Sequence, residues 1–214
     1  PVNLAPYTER VAAVVHSYLS GEALGGALAD VLYGKAEPAG RLPETFPLRI
    51  EDTPSYLSFP RYPTVMPDVY YGEDIFVGYR WYEKRKMNVL YPFGYGLSYT
   101  EFAYTNVRTD KENYAEGDTI TVSVDVKNTG ARKGAAVVEI YMNKAKGGFY
   151  APEKELQGFA KVWLEPGEEK TVSVAITVED LGSYDEVHKT WVREPGAWRI
   201  VAGTSVADTI AEVT

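Results

Sequence analysis

The chain has no cysteine, which excludes disulfides and thiolate metal sites and leaves the redox compartment open. Histidine is almost as scarce. His16 and His188 stand at opposite ends of the chain, too far apart in sequence to read as a zinc site, and nothing marks either as the base of a Ser-His-Asp triad. No apolar run approaches the roughly 18 residues of a membrane-spanning helix, so no membrane association is expected. A basic segment followed by an apolar one, the mark of a signal peptide, is also missing. Positive charge is in short supply. The 22 Lys and Arg residues face 30 Asp and Glu, for a net charge of −8. A surface of that sign repels phosphate, so nucleic acid is not an expected partner. The chain opens on Pro1-Val2-Asn3 rather than on Met, as expected of a fragment or a processed product. A cytoplasmic and an exported location both stay open.

What is present is ordinary globular composition. Hydrophobic residues make up 45% of the 214 positions and charged residues 24%, enough for one large domain or a small domain with an appendage. Aromatics reach 13%, with 17 tyrosines, which suits β-sheet packing and also carbohydrate contact.

The texture changes along the chain. Val11–Leu19 (VAAVVHSYL) is a short apolar run, as expected of a strand buried on both faces, with His16 held inside or at an interface. Ala23–Tyr33 carries a helical stripe at Leu24, Ala27, Leu28, Val31 and Leu32, and Gly34 is its expected stop. One strand and one helix cannot bury a core, so residues 1–47 read as the terminal segment of a larger α/β domain. Residues 48–100 show no period. They hold Pro54, Pro60, Pro63, Pro67 and Pro92 among many aromatics, and read as an ordered strap across a domain interface. From residue 101 the period becomes two. Ile120, Val122, Val124 and Val126 form one alternating set, and Val172, Val174, Ile176 and Val178 another. Val138, Ile140 and Met142 form a third, and Trp198, Ile200 and Ala202 a fourth. Turn signals separate them at Glu116-Gly117-Asp118, Asn128-Thr129-Gly130, Glu165-Pro166-Gly167 and Glu194-Pro195-Gly196. Residues 101–214 are therefore expected to fold as one antiparallel β-sandwich of immunoglobulin-like or fibronectin type III-like size. The fold class is mainly β with an N-terminal α/β remnant.

Three segments, in this order, resemble glycoside hydrolase family 3, a group that includes many β-glucosidases. The first is Gly25–Pro47 with its Pro-x-Gly-Arg-Leu-Pro core at Pro38–Pro43. It resembles the end of the family's α/β-sandwich domain. The second is Ile75–Thr100, with Val77-Gly78-Tyr79-Arg80 and then Pro92-Phe93-Gly94-x-Gly96-Leu97-Ser98-Tyr99-Thr100. Where the family often has Glu-Gly ahead of this motif, the chain has Glu73-Asp74. The third runs through Val122–Asn128, Pro152–Phe159, Glu165–Glu168 and Glu194–Gly196, and is similar to the fibronectin type III-like domain that ends many members. Gly94 and Gly96 permit tight turns among bulky neighbours, while Pro43 and Pro47 keep Arg41–Pro47 extended. Arg41 and Arg80 are candidates for bidentate pairing. The glycines do not form a GxGxxG between a strand and a helix, so no phosphate cradle is expected.

The resemblance implies a retaining hydrolase of β-glucosides or related glycosides. That chemistry uses two carboxylates about 5 Å apart. In the family the nucleophile is an Asp on a TIM barrel and the acid/base, where placed, a Glu on the α/β-sandwich domain. Both lie outside the stretch resembled, so no catalytic residue is carried over. No metal and no cofactor is expected. The implied partners are the TIM barrel and the rest of the α/β-sandwich domain, joined covalently or as a cleaved partner chain, and a carbohydrate substrate. The chain alone is expected to be inactive and to brace and complete the catalytic domains. The chain's own acidic clusters, Glu73-Asp74, Glu153/Glu155, Glu168-Glu169, Glu179-Asp180 and Asp185-Glu186, read mainly as solvated. Glu73-Asp74 stands out because burial in the aromatic strap would raise a carboxyl pKa. The candidates for substrate contact are Phe149 and Tyr150, in the loop Asn143–Ala151, where an aromatic ring can stack on the C–H face of a sugar. The alternative reading is a non-catalytic carbohydrate-binding or protein-interaction module.

Overall fold

Alternation of period two determines most of what the chain builds. The computed structural model describes residues 3–59, 70–145 and 150–214, and the chain divides into two compact units at Tyr99/Thr100.

The first unit contains helices α1 (Ala5–Thr8), α2 (Leu24–Leu32) and α3 (Tyr79–Arg85), a 3-10 turn at Ile50–Asp52, and two short paired strands, β1 (Phe46–Pro47) and β2 (Val89–Tyr91). Helix α2 ends where the glycine predicts. Gly34 adopts φ +70°, its N–H donates to the Val31 carbonyl, and the Lys35 N–H reaches back to the Asp30 carbonyl. Two of the orphan carbonyls of the last turn, those of Asp30 and Val31, are thereby satisfied. No residue of α2 is buried, and Leu32 and the following Tyr33 project outward.

Val11–Leu19 departs from expectation. It has no regular structure and pairs with no strand among the described residues, and Val11, Val14, Val15, Tyr18 and Leu19 are exposed. A strand buried on both faces needs neighbours for its backbone groups and for both rows of side chains. The described residues of this unit offer neither. His16 is accordingly exposed. Its ring packs edge-on against Tyr18 and Phe46, at centroid distances of 4.0 and 5.4 Å. The aperiodic segment also hides a helix. α3 begins after Gly78, carries Lys84 and Arg85 in its last turn, where cations favour the helix dipole, and buries Tyr82.

The second unit holds β3 (Phe102–Thr109), β4 (Thr119–Asn128), β5 (Gly134–Lys144), β6 (Glu155–Leu164), β7 (Glu169–Thr177), β8 (Ser183–Asp185), β9 (Thr190–Val192), β10 (Trp198–Gly203) and β11 (Thr209–Val213). Every pairing is antiparallel. A four-stranded sheet in the order β11-β10-β5-β6 and a three-stranded sheet in the order β3-β4-β7 share one core. That core takes Ile120, Val122, Val124 and Val126 from β4, Val172, Val174 and Ile176 from β7, and Ala136, Val138, Ile140 and Met142 from β5. Apart from Ala136 these positions belong to the alternating sets read from the sequence, while Val178, read as the end of the β7 set, stands in a 3-10 turn (Val178–Leu181) and packs half-buried against the core. β8 and β9 form a separate hairpin. β5 exceeds the pattern, because its outer row of Ala135, Val137, Glu139 and Tyr141 is buried as well. The Glu139 carboxylate there accepts the Tyr141 hydroxyl at 2.5 Å, so the buried charge is partnered.

The outer face of the three-stranded sheet carries a polar network. Asp125 accepts from Thr171 Oγ1 at 2.6 Å, Asn106 Nδ2 at 2.7 Å and both terminal nitrogens of Arg108. The Thr171 hydrogen bond leads in holding its pKa below the ordinary carboxylate value, followed by Asn106 and then Arg108. Asp110, Asp118, Glu168 and Asp185 are likewise lowered, chiefly by hydrogen bonds. A depressed folded-state pKa contributes stability that is fully present above the unfolded value and is lost as pH falls through the folded one. Thermal stability is therefore expected to hold at neutral pH and to decline progressively below about pH 4, the unfolded carboxylate range. Asp125→Asn should make that decline shallower. Melting curves taken between about pH 7 and pH 2.5 check this, and an unchanged slope in the variant would remove Asp125 from the account.

Candidate functional site

The loop between β5 and β6 contains both sequence candidates. Tyr150 is 68% exposed. Phe149 lies outside the described residues. The stems of the loop are tightly held. Ala145 N–H donates to the Ala197 carbonyl at 2.9 Å, and Lys144 pairs with Glu194 at 3.4 Å. Arg199, on β10, reaches both stems. Its Nε donates to Asn143 Oδ1 at 3.2 Å and its Nη2 to the Glu153 carbonyl at 2.8 Å. One guanidinium thus ties the strand entering the loop to the segment leaving it. Tyr150 is presented to solvent from a fixed base, which suits stacking on a sugar face.

In the first unit the two longest motifs are brought together. Phe46 pairs with Tyr91 and Pro47 with Val89. Beyond that register, Leu42 N–H donates to the Tyr95 carbonyl at 2.9 Å, Gly94 N–H to the Leu42 carbonyl at 2.8 Å, and Phe93 N–H to Thr45 Oγ1 at 3.3 Å. The Glu37 carboxylate closes the end of this clasp by accepting from Ser98 Oγ and from the Tyr99 N–H at 3.3 Å. The Tyr99 hydroxyl reaches the Val31 carbonyl of α2 at 2.7 Å. The proline-rich and glycine-rich motifs are therefore two sides of one structure. Arg41 donates to the neighbouring Gly40 carbonyl at 2.9 Å rather than to a carboxylate, and the Arg80 guanidinium lies over the Tyr79 ring.

A second polar knot anchors α3. Buried Asp52 accepts Arg49 Nη2 at 2.8 Å, and Trp81 Nε1 donates to the Asp52 carbonyl at 3.1 Å. Burial, with the Asp52 charge second, pushes the Tyr82 phenol up to about 12.

The acidic clusters divide by environment. Glu168 accepts the Glu165 N–H and pairs with Lys170 at 2.8 Å, Glu179 accepts the Gly117 N–H, and Asp180 accepts Thr177 Oγ1. Asp185 holds His188 Nδ1 at 2.7 Å on an exposed turn. These carboxylates are occupied in shaping turns. Glu73 differs, since its Oε2 is buried without a hydrogen-bond partner among the described residues. No group of three or more His, Asp or Glu residues among the described positions is placed to hold a metal ion. No described helix is long and apolar enough to cross a membrane.

Sequence reasoning also missed two features here. Asn128, read as a turn residue and as the end of the Val122–Asn128 segment, is fully buried with its side-chain amide bonded on both ends. The β8–β9 hairpin displays Tyr184 and Trp191 side by side, and their spacing about the Asp185–Lys189 turn was its only signal.

Comparison with known proteins agrees with these motifs. Residues 1–99 match the glycosyl hydrolase family 3 C-terminal domain, and residues 136–206 the fibronectin type III-like domain. The chain is 44% identical to thermostable beta-glucosidase B of Acetivibrio thermocellus over 210 residues, which is 98% of this chain and 27% of that protein. It is 43% identical to a beta-glucosidase of Kluyveromyces marxianus, covering 96% of this chain and 24% of that one. The chain thus spans about a quarter of the length of these relatives. Among solved structures, the family 3 beta-glucosidase of Bifidobacterium adolescentis superposes with a TM-score of 0.90 at 36% identity, over 99% of this chain and 31% of that chain. Beta-glucosidase 3B of Thermotoga neapolitana, in complex with alpha-D-glucose, gives 0.90 at 34% identity, over 100% and 29%. In sequence, in motif pairing and in fold, the chain belongs to glycoside hydrolase family 3, of which it carries the C-terminal portion with its fibronectin type III-like domain.

Proposed function

We propose that this chain is the C-terminal part of a retaining hydrolase of β-glucosides or related glycosides, and that it completes and braces the catalytic domains without supplying a catalytic residue. The observation that carries this reading is the pair Val11–Leu19 and α2, two apolar elements without a buried side of their own in the first unit. The relatives' additional length supplies the chemistry and the neighbours these elements lack. In this division residues 1–47 end the α/β-sandwich domain, residues 48–100 form an interdomain strap, and residues 101–214 are the bracing sandwich. Phe149 and Tyr150 meet the substrate on its aglycone side.

The test is hydrolysis of an aryl β-glucoside by this chain alone. No turnover above buffer is expected. Robust turnover abolished by one Asp or Glu substitution would sink the proposal. In the longer enzyme, Tyr150→Ala should raise KM for an aryl glucoside roughly three- to tenfold with kcat little changed, the loss of one stacking contact. An unaltered KM would take Tyr150 out of the site.

A further inference from the structure

We propose that the β8–β9 hairpin is a glycan-contact site, in which the Trp191 ring stacks on a pyranose of a neutral β-linked glucan. Tyr184 and Trp191 are direct cross-strand partners, with ring centroids 5.5 Å apart at 67°. They are 46% and 62% exposed, and neither joins the core. Two large rings held outside the core bring it no burial, yet their positions are set with care. A Cβ on Gly182 would lie 3.4 Å from Trp191 Cε3, so the indole rests against the glycine backbone. Asp185 locks the turn by accepting the N–H groups of Val187 and His188 at 2.8 and 3.1 Å, along with His188 Nδ1 at 2.7 Å. A platform already fixed loses little entropy when a ligand settles on it.

The surroundings select the ligand. The Arg193 stem approaches the same Gly182 position, its Cγ 3.7 Å from where a Cβ would stand, so the stem and the indole share one neighbour. The Arg193 guanidinium is aimed by Glu116 Oε1 at 3.0 Å and by the Glu179 carbonyl at 3.4 Å. An exposed ring on β9 followed, two residues on, by an oriented guanidinium paired to a carboxylate matches a sugar, which offers C–H groups on its face and hydroxyls on its rim. β-Glucose fits best, because its equatorial hydroxyls leave both faces rich in C–H. The net charge of −8 disfavours an anionic glycan. Two edge-to-face rings are also far smaller than the roughly 800 Å² that each partner gives to a stable protein interface.

The choice of a β-glucan rests on the function proposed above. Hydrolysis by the longer enzyme and binding by this chain are separate readouts, so failure of one leaves the other legible. The experiment is titration of the chain with cellotetraose, followed by calorimetry and by indole fluorescence. A Kd on the order of a millimolar is expected. Trp191→Ala should weaken binding at least about tenfold, Trp191→Phe less, and Trp163→Ala not at all. Melting curves identify variants that fail to fold, and Tyr184→Ala replaces any that do. No saturable binding by the intact chain up to about ten times that Kd would overturn the proposal, as would equal binding by the folded Trp191→Ala variant.

Discussion

Replacing Asn128 by leucine is expected to cost the second unit on the order of 4 kcal/mol, enough to lower its melting temperature by roughly 10–20 °C. The side chain is fully buried at the end of β4. Its Nδ2 donates to the Arg132 carbonyl at 2.7 Å and to the Leu164 carbonyl at 3.0 Å. Its Oδ1 accepts from Thr100 Oγ1 at 2.8 Å and from the Gly130 N–H at 3.1 Å. One amide therefore serves the entry to β3, the turn after β4 and the end of β6. Leucine fills nearly the same volume but removes all four bonds: the Leu164 carbonyl is left unanswered in a buried site, at about 1–3 kcal/mol, and each of the three part-buried bonds adds roughly 0.5–1.5 kcal/mol. Asn128→Asp makes a sharper comparison. It retains both acceptor contacts and turns both donor contacts into oxygen facing oxygen, so at neutral pH it should be at least as damaging. Denaturant or thermal unfolding of the three proteins checks this, and a loss below about 1 kcal/mol for the leucine variant would show that water or backbone movement replaces the amide.

Gly96→Ala is expected to open the clasp of the first unit while leaving the sandwich intact. An added Cβ would stand 2.6 Å from the Gly40 carbonyl oxygen and 2.9 Å from Arg41 Cδ. The first of these is backbone, which cannot swing aside. It belongs to the segment that must stay close for the Leu42 N–H to reach the Tyr95 carbonyl and the Gly94 N–H the Leu42 carbonyl. Relief demands separation of the two motifs, at a cost of roughly 3 kcal/mol. Hydrogen exchange reads this position by position. The Leu42 and Gly94 amides should lose protection roughly a hundredfold, while the Val122 and Ile140 amides should keep theirs. Uniform loss throughout the chain, or none, would contradict a local clash.

What was legible in the sequence follows from where each element finds its partners. β4 and β7 could be read from alternation because one face of each meets the core within the same unit and the other meets water. α2 could be read because its stripe and its glycine stop are local. Val11–Leu19 misled for the opposite reason. Its composition is that of a strand, and composition is silent on whether neighbours lie within the same unit. α3 escaped because a two-turn helix bearing four aromatic and basic residues in succession shows no stripe, although Lys84 and Arg85 near its end were a usable signal. The outer row of β5 escaped because Glu139 and Tyr141 are polar, and their mutual bond, which helps make burial tolerable, does not show in the sequence. At the candidate site, the chemical types of Phe149 and Tyr150 were plain. The hold of Arg199 on both stems of their loop was not, because it joins residues distant in sequence. Asn128 was hidden for a related reason, since an Asn before Thr-Gly is a turn signal whether or not its amide is buried.

The clasp between Arg41–Pro47 and Val89–Tyr95 also governs how the chain can vary in length. Residues 48–88 connect β1 to β2, so the two ends of this tether are pinned together. The entropy of closing such a tether grows only with the logarithm of its length, so doubling it would cost about 0.6 kcal/mol. A single methyl group at Gly96 is expected to cost several times that. Insertions between α3 and the 3-10 turn should therefore be far better tolerated than any change of side-chain volume at the clasp itself. This first unit tolerates added length between its pinned ends far more readily than added volume at its buckle.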